Sequence, residues 1–462
     1  MHTKLAILAA ALPAAAAVHA GMFRDGDRVA FVGDSITARN VAFHEFVADY
    51  YLTRFPEADI RFTNSGRNGD GTGSVMRRLA DDVAARRPTA VAVMLGGNDV
   101  DRKSYGDNAT EAQLEAHRRR RGSFARNYAA LADAIRSLCG DVGLFFIATP
   151  PFDENRRLVF ANKAITNTPG VNAGLGNFAA ILRTLAAEKG ATFVDGFTAV
   201  SAWIRDARAS NPEMSLAGDR VHPWPATNLI LAMAFLRAQN AERVVSDIAI
   251  QDGVAAMSIG AEVSEIATNA AGGVAFTVLE KALPMPFSDD VSSVTNHPDV
   301  IAFNQQILTV YHLPDGDWTL SIDGRPVATA NAWEWENGVN LAFNPATPQF
   351  AQARRVMAAH REAAERAYLE ESDYLRVRDQ VIRDLKSRGQ DPASPEARSA
   401  YFEETLPKVS YWKPGRLAWE GARDNWERID ELAAAFENVW PSIRALAKPV
   451  PHRYELSRKV GE

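Results

Sequence analysis

Ser35, Asp219 and His222 are residue types that can build a nucleophilic relay, and their neighbours suit that chemistry. Ser35 follows Gly33-Asp34 directly after the apolar run Val29–Val32, and Asp219-Arg220-Val221-His222 precedes a late helical pattern. A serine hydroxyl attacks well only when a base removes its proton, and the base needs an acceptor that fixes its tautomer. Three residues apart in a loop, the Asp219 carboxylate can meet Nδ1 of His222 and leave Nε2 facing Ser35. Two further groups stand after other apolar runs: Asn68-Gly69-Asp70, after Ile60–Thr63, and Gly96-Gly97-Asn98-Asp99, after Ala90–Leu95. The N–H of Ser35, the N–H of Gly69 and the side-chain amide of Asn98 could aim three donors at a developing oxyanion. Asp34, Asp99, Tyr105, Phe152 and Trp224 flank these groups and are candidate pocket residues. Core packing would explain the three aromatics equally well.

Such residues need a scaffold that gathers strand ends. Between residues 28 and 243, apolar runs at Val29–Val32, Ile60–Thr63, Ala90–Leu95, Leu144–Ala148 and Thr192–Val194 alternate with helical patterns around 41–55, 74–86, 123–138, 172–189 and 226–242. That alternation predicts a parallel sheet covered by helices on both faces, with ligands bound beyond the carboxyl ends of the strands. After about residue 245 the pattern changes. Val274–Leu279, Ile307–Tyr311 and Trp318–Ile322 read as strands of a small antiparallel unit, with turns at Pro314–Asp317 and Asp323-Gly324. From Pro348 the spacing predicts helices over 348–386, 395–406 and 416–446, broken at Pro392, Pro407 and Pro414.

The set Gly-Asp-Ser, a loop glycine, Gly-x-Asn-Asp and Asp-x-x-His resembles the four blocks of the SGNH (GDSL-type) hydrolases, over about residues 27–243. The resemblance implies a flavodoxin-like three-layer α/β/α sandwich and a serine esterase without metal or other cofactor. It makes Ser35 the nucleophile, His222 the base and Asp219 its partner, with Ser35, Gly69 and Asn98 forming the oxyanion hole. Gly66 and Gly71 lie in the same loop as Gly69, which is preferred because Asp70 follows it. The α/β-hydrolase alternative needs Gly-x-Ser-x-Gly, whereas Ser35 is followed by Ile36-Thr37. A two-metal phosphatase would recruit several histidines, and among these motifs only His222 is well placed.

Composition narrows the rest. A net charge of -6 gives no basic surface for nucleic acid, and the run Arg118–Arg121 lies beside Glu111 and Glu115 as a solvated face. Lys4, the apolar stretch Leu5–Val18 and the small residues before Gly21 read as a cleavable signal peptide, so the enzyme is expected to be secreted or periplasmic. With Cys139 as the single cysteine, a disulfide within the chain is impossible, and its apolar helical setting predicts a buried thiol. The expected division is a signal peptide at 1–20, a hydrolase domain at 21–244, a β-rich unit at 245–345 and a helical region at 346–462. No apolar lid of the kind lipases use is evident, which favours a small acyl group on a polar substrate, with acetylated carbohydrate the expected partner. Lipase, arylesterase or thioesterase activity on the same fold is the alternative. A non-catalytic polysaccharide binder using Trp318, Trp333 and Trp335 is another.

Overall fold

The computed structural model describes residues 21–459 apart from 106–109, 157, 161–162, 166–169, 368–372 and 410–414. The signal-peptide segment therefore lies outside the described residues, as does Pro414. Five parallel strands form the central sheet: β1 (Arg28–Gly33), β2 (Arg61–Gly66), β3 (Ala90–Met94), β4 (Gly143–Ile147) and β5 (Thr192–Val194). Their spatial order is β2-β1-β3-β4-β5, so the order reverses beside β1, the place where open α/β sheets bind ligands. The residues of the central strands β1, β3 and β4 are apolar on both faces because both faces are covered. Val29 and Phe31 of β1 join a core shared with helices Phe43–Arg54 and Pro225–Ala238. Ala30 and Val32 join another with Glu111–Cys139 and Val171–Lys189. The α/β sandwich expected from the alternating pattern is the fold observed.

Some elements differ from the sequence reading. The pattern at 74–86 breaks into single turns (Thr72–Val75, Met76–Arg78, Leu79–Asp82, Ala84–Arg86) instead of one helix. An unexpected helix, Gly196–Ser210, follows β5; its amino end is capped by the Asp195 carboxylate, which accepts from Thr198 N. Cys139 ends its helix half-buried, not fully enclosed. Arg118 pairs with Glu111 and Glu115 on an exposed face, as expected.

Beyond residue 243 the chain builds two further sheets. One is antiparallel and orders Ala261–Thr268, Val274–Glu280, His452–Arg458, Asp317–Ile322 and Arg325–Asn331. The other pairs Val244–Gln251 with Gln305–Tyr311 in parallel, flanked by Val254–Ile259 and Val339–Asn340. That parallel pair departs from the purely antiparallel expectation, and the 53 residues separating the two strands give ample length for the crossover it needs. The region read as wholly helical, 346–462, ends in the strand His452–Arg458, inserted between two strands more than 120 residues earlier. The helices Pro348–Arg366 and Ile429–Ala447 pair with each other and pack on Phe43–Arg54. Trp318 and Trp335 are core residues of the β unit, while Trp333 is exposed.

Candidate active site

The Ser35 loop is built by a tight reversal at the end of β1. Asp34 caps the short helix Ser35–Ala38, its Oδ1 accepting from Ile36 N at 2.9 Å, which leaves the Ser35 N–H at the free amino end. This helix turns back closely over the strand. A Cβ on Gly33 would sit 2.1 Å from Thr37 Oγ1, so only glycine fits there. Asp34 is buried beneath the site, and burial pushes its carboxyl up to about 6 against the opposing pull of the Ile36 amide and of His222. Asp34 thus serves as a buried cap under the Ser35 turn.

Across the strand ends, His222 Nε2 lies 2.8 Å from Ser35 Oγ, and His222 Nδ1 lies 2.5 Å from Asp219 Oδ2. The other carboxylate oxygen of Asp219 accepts from the amides of Val221 (3.1 Å) and His222 (2.8 Å). Partial burial would raise the Asp219 carboxyl, but these bonds and the attraction of His222 outweigh it and hold it well below the usual range. The carboxylate therefore stays ionised and fixes the ring with Nε2 toward the serine.

The loop carrying Asp219 and His222 is held from behind by residues the sequence reading missed. Asp153 is fully buried and receives Leu216 N (3.0 Å), Ser215 Oγ (3.0 Å) and Arg208 Nη2 (2.7 Å). Arg220, buried in a left-handed conformation (φ 73°), donates its Nε to Asp153 O and lies 4.5 Å over the Phe152 ring. Phe152 is thus a packing platform for the loop and not a pocket wall. A charged residue between Asp219 and His222 was the available signal.

On the opposite side, residues 67–70 make a turn closed by Asp70 N donating to Arg67 O (3.1 Å), with Gly69 at φ 74° and exposed. Asn98 Nδ2 donates to Asp70 O at 2.8 Å, which ties the β2 and β3 loops together and leaves its second amide hydrogen uncommitted by that bond. Asp99 accepts from Thr72 N (3.0 Å) and Thr72 Oγ1 (2.6 Å), so it braces these loops instead of facing a ligand. Tyr105 stacks on His117 with centroids 3.9 Å apart, packed against Gly174. Among the flanking aromatics, Trp224 alone is widely exposed (48%), lying against Gly218 beside the Asp219 loop. Two cations complete the surroundings. Arg39 Nη2 lies 3.7 Å from Asp219 Oδ2, and Arg102, hydrogen-bonded to Gly97 O, is drawn to Asp34 and Asp219.

Residues 31–229 match the model of the GDSL-like Lipase/Acylhydrolase family. An acetylxylan esterase of Geobacillus stearothermophilus is 25% identical over 226 residues, covering 46% of this chain and 93% of that protein. The solved structure of a gut microbial diltiazem-metabolizing enzyme superposes with a TM-score of 0.80 at 24% identity, over 96% of this chain and all of its own. That likeness extends the shared fold through the β sheets and helices of the second half.

Proposed function

Since its first half belongs to the GDSL-like lipase/acylhydrolase family and the chain is an ester-bond hydrolase, we propose that it deacylates esters through a Ser35–His222–Asp219 acyl-enzyme mechanism and that its substrate is an O-acetylated carbohydrate. The observation that carries this reading is the unbroken relay from Asp219 Oδ2 through His222 to Ser35 Oγ, with contacts of 2.5 and 2.8 Å. His222 Nε2 takes the hydroxyl proton as Ser35 Oγ attacks the acyl carbon. The Ser35 and Gly69 amides and the Asn98 side chain stabilise the oxyanion. Collapse expels the sugar hydroxyl, which receives the proton from His222. Water then attacks the acetyl-serine by the same route in reverse, releasing acetate and restoring the hydroxyl.

The acetylxylan esterase relative supports the choice of an acetylated glycan, and so does the polar character of the surroundings described below. No helix among the described residues is long and apolar enough to cross a membrane. The segment Leu5–Val18 and the small residues before Gly21 support export, which places the enzyme where polysaccharide is met. The test combines a fluorophosphonate probe with a panel of acetylated oligosaccharides and longer-chain aryl esters. The expected result is a single adduct on Ser35 of a chain beginning near Gly21, turnover biased toward acetates, and loss of both labelling and turnover in Ser35→Ala. Retained turnover in that variant would overturn the mechanism, and preference for long acyl chains would overturn the substrate class.

A further inference from the structure

A cleft of about 670 Å³ opens beside the Gly69 turn, between the β2 loop and the helix Tyr374–Ser387. Every residue lining it is polar, and five are arginines against four aspartates. Planar amide, carboxylate and guanidinium groups suit the hydroxyls of a sugar chain, and the volume is that of an ordinary small-ligand site.

The charges in the cleft fall into two sets. Asp70 and Asp82 are bound by Arg78, through Nε to Asp70 at 2.6 Å and Nη1 to Asp82 at 3.2 Å, and Arg376 Nε reaches Asp82 at 3.0 Å. Arg376 also pairs with Asp373 at 2.7 Å. Arg77 and Arg383 are exposed at the rim, where water solvates them. Arg67 is left over. Half-buried at the inner end, it makes no side-chain hydrogen bond or ion pair among the described residues. Beyond its burial, it is repelled by Arg376 and Arg78 and attracted by Asp82 and Asp70. An unpaired, partly desolvated guanidinium is an unfavourable arrangement unless an anion completes it. It also begins the turn Arg67-Asn68-Gly69-Asp70, two residues from the amide assigned to the oxyanion hole.

We propose that this cleft is a glycan subsite in which Arg67 binds the carboxylate of a uronic acid residue, making acidic acetylated polysaccharide the preferred substrate. The proposal rests on the esterase reading above for its catalytic consequence, while the binding itself does not depend on it. Arg67 acts as a specificity-determining residue. The helix 374–387 supplies the outer wall, which gives the C-terminal region a part in substrate choice.

The test uses the full chain. Binding of trigalacturonate and of xylotriose, both unacetylated, is measured by calorimetry on wild type, Arg67→Ala, and Arg383→Glu on the exposed wall. The expected result is tighter binding of trigalacturonate, weakening with salt, and about a tenfold loss in Arg67→Ala. Arg383→Glu, which reverses charge on a solvent-facing helix surface and leaves the core intact, should also weaken trigalacturonate more than xylotriose. Equal affinity for the two trisaccharides, or equal losses for both in the variants, would overturn the proposal. Acetylated forms of the same oligosaccharides then separate the two readings. Turnover of acidic and neutral acetates at the same kcat/KM would refute the acidic preference alone. Charge-dependent binding without deacetylation would refute the carbohydrate-esterase reading and leave the subsite standing.

Discussion

Replacing Asp49 by alanine tests how the second half of the chain is fastened to the hydrolase sheet. All twelve residues of the helix Phe43–Arg54 are buried, charged ones included. Asp49, with no exposed surface, meets His360 Nδ1 at 2.9 Å and lies 3.6 Å from Arg361 Nη2, both on the helix Pro348–Arg366. Alanine keeps the helix, so the loss is confined to the polar contact. Removing one partner of a buried pair leaves the other desolvated without compensation, which costs about 3–5 kcal/mol. By contrast, Arg354→Ala breaks an exposed pair with Asp289, 3.4 Å apart, and should cost less than about 1 kcal/mol. Urea unfolding of both variants, followed by fluorescence and by circular dichroism, gives the difference. A double substitution Asp49→Ala with His360→Ala should recover part of the loss through coupling. A loss below about 1 kcal/mol in Asp49→Ala, or one equal to that of Arg354→Ala, would refute the view of this pair as a buried fastening.

Three other outcomes follow from the geometry. Asn98→Ala should lower kcat on an aryl acetate by about two to three orders of magnitude with little change in KM; a rise in KM at constant kcat would make Asn98 a binding residue. Burial pushes Glu45 up from its ordinary 4.5 to about 7, despite the pull of His360 and Arg361. Folding therefore strengthens its hold on a proton, so its stabilising contribution is complete below about pH 4.5 and is lost as pH rises through 7. Glu45→Gln should remove up to about 1.4 kcal/mol per pH unit of that decline, seen as a flatter Tm between pH 5 and 7; an unchanged slope would show that another group titrates there. A chain ending at residue 244 should be insoluble or unfolded, because Phe350, Val356, Trp440 and Ile443 share the core with the helix Phe43–Arg54, at about 1.5–3 kcal/mol each. A soluble truncation active on every substrate would refute it.

The candidate site was legible because its chemistry is local. Gly33-Asp34-Ser35 and Asp219-x-x-His222 each hold their mutual geometry within four residues, and apolar runs before three of the motifs marked the strand ends that gather them. What holds those loops was not legible. Asp153 and Arg220 act across 67 residues, and no period or composition marks a pair that becomes adjacent only after folding. Phe152 and Asp99 were read for proximity to the motifs, yet each is committed to bracing, under Arg220 and around Thr72. The helix Gly196–Ser210 carried its signal in Asp195, Val200, Trp203 and Ile204, diluted by small residues between.

In the second half the reason is different, and it bears on what that half is for. The strand Val254–Ile259 is exposed at all six positions, so no alternation marks it. The strand His452–Arg458 does alternate, burying His452, Tyr454 and Leu456 and exposing Arg453 and Glu455. Its pairing partners, however, lie far upstream, and the helices between them hide the connection. Because that last strand sits inside its sheet, neither the β unit nor the helices can complete their packing without the other. The helices in turn cover Phe43–Arg54, whose His44 Nε2 donates to Thr37 O (2.8 Å), two residues beyond Ser35. The second half is therefore joined to the Ser35 turn through one helix and to the Gly69 turn through Arg376–Asp82 and, by way of Arg78, Asp70.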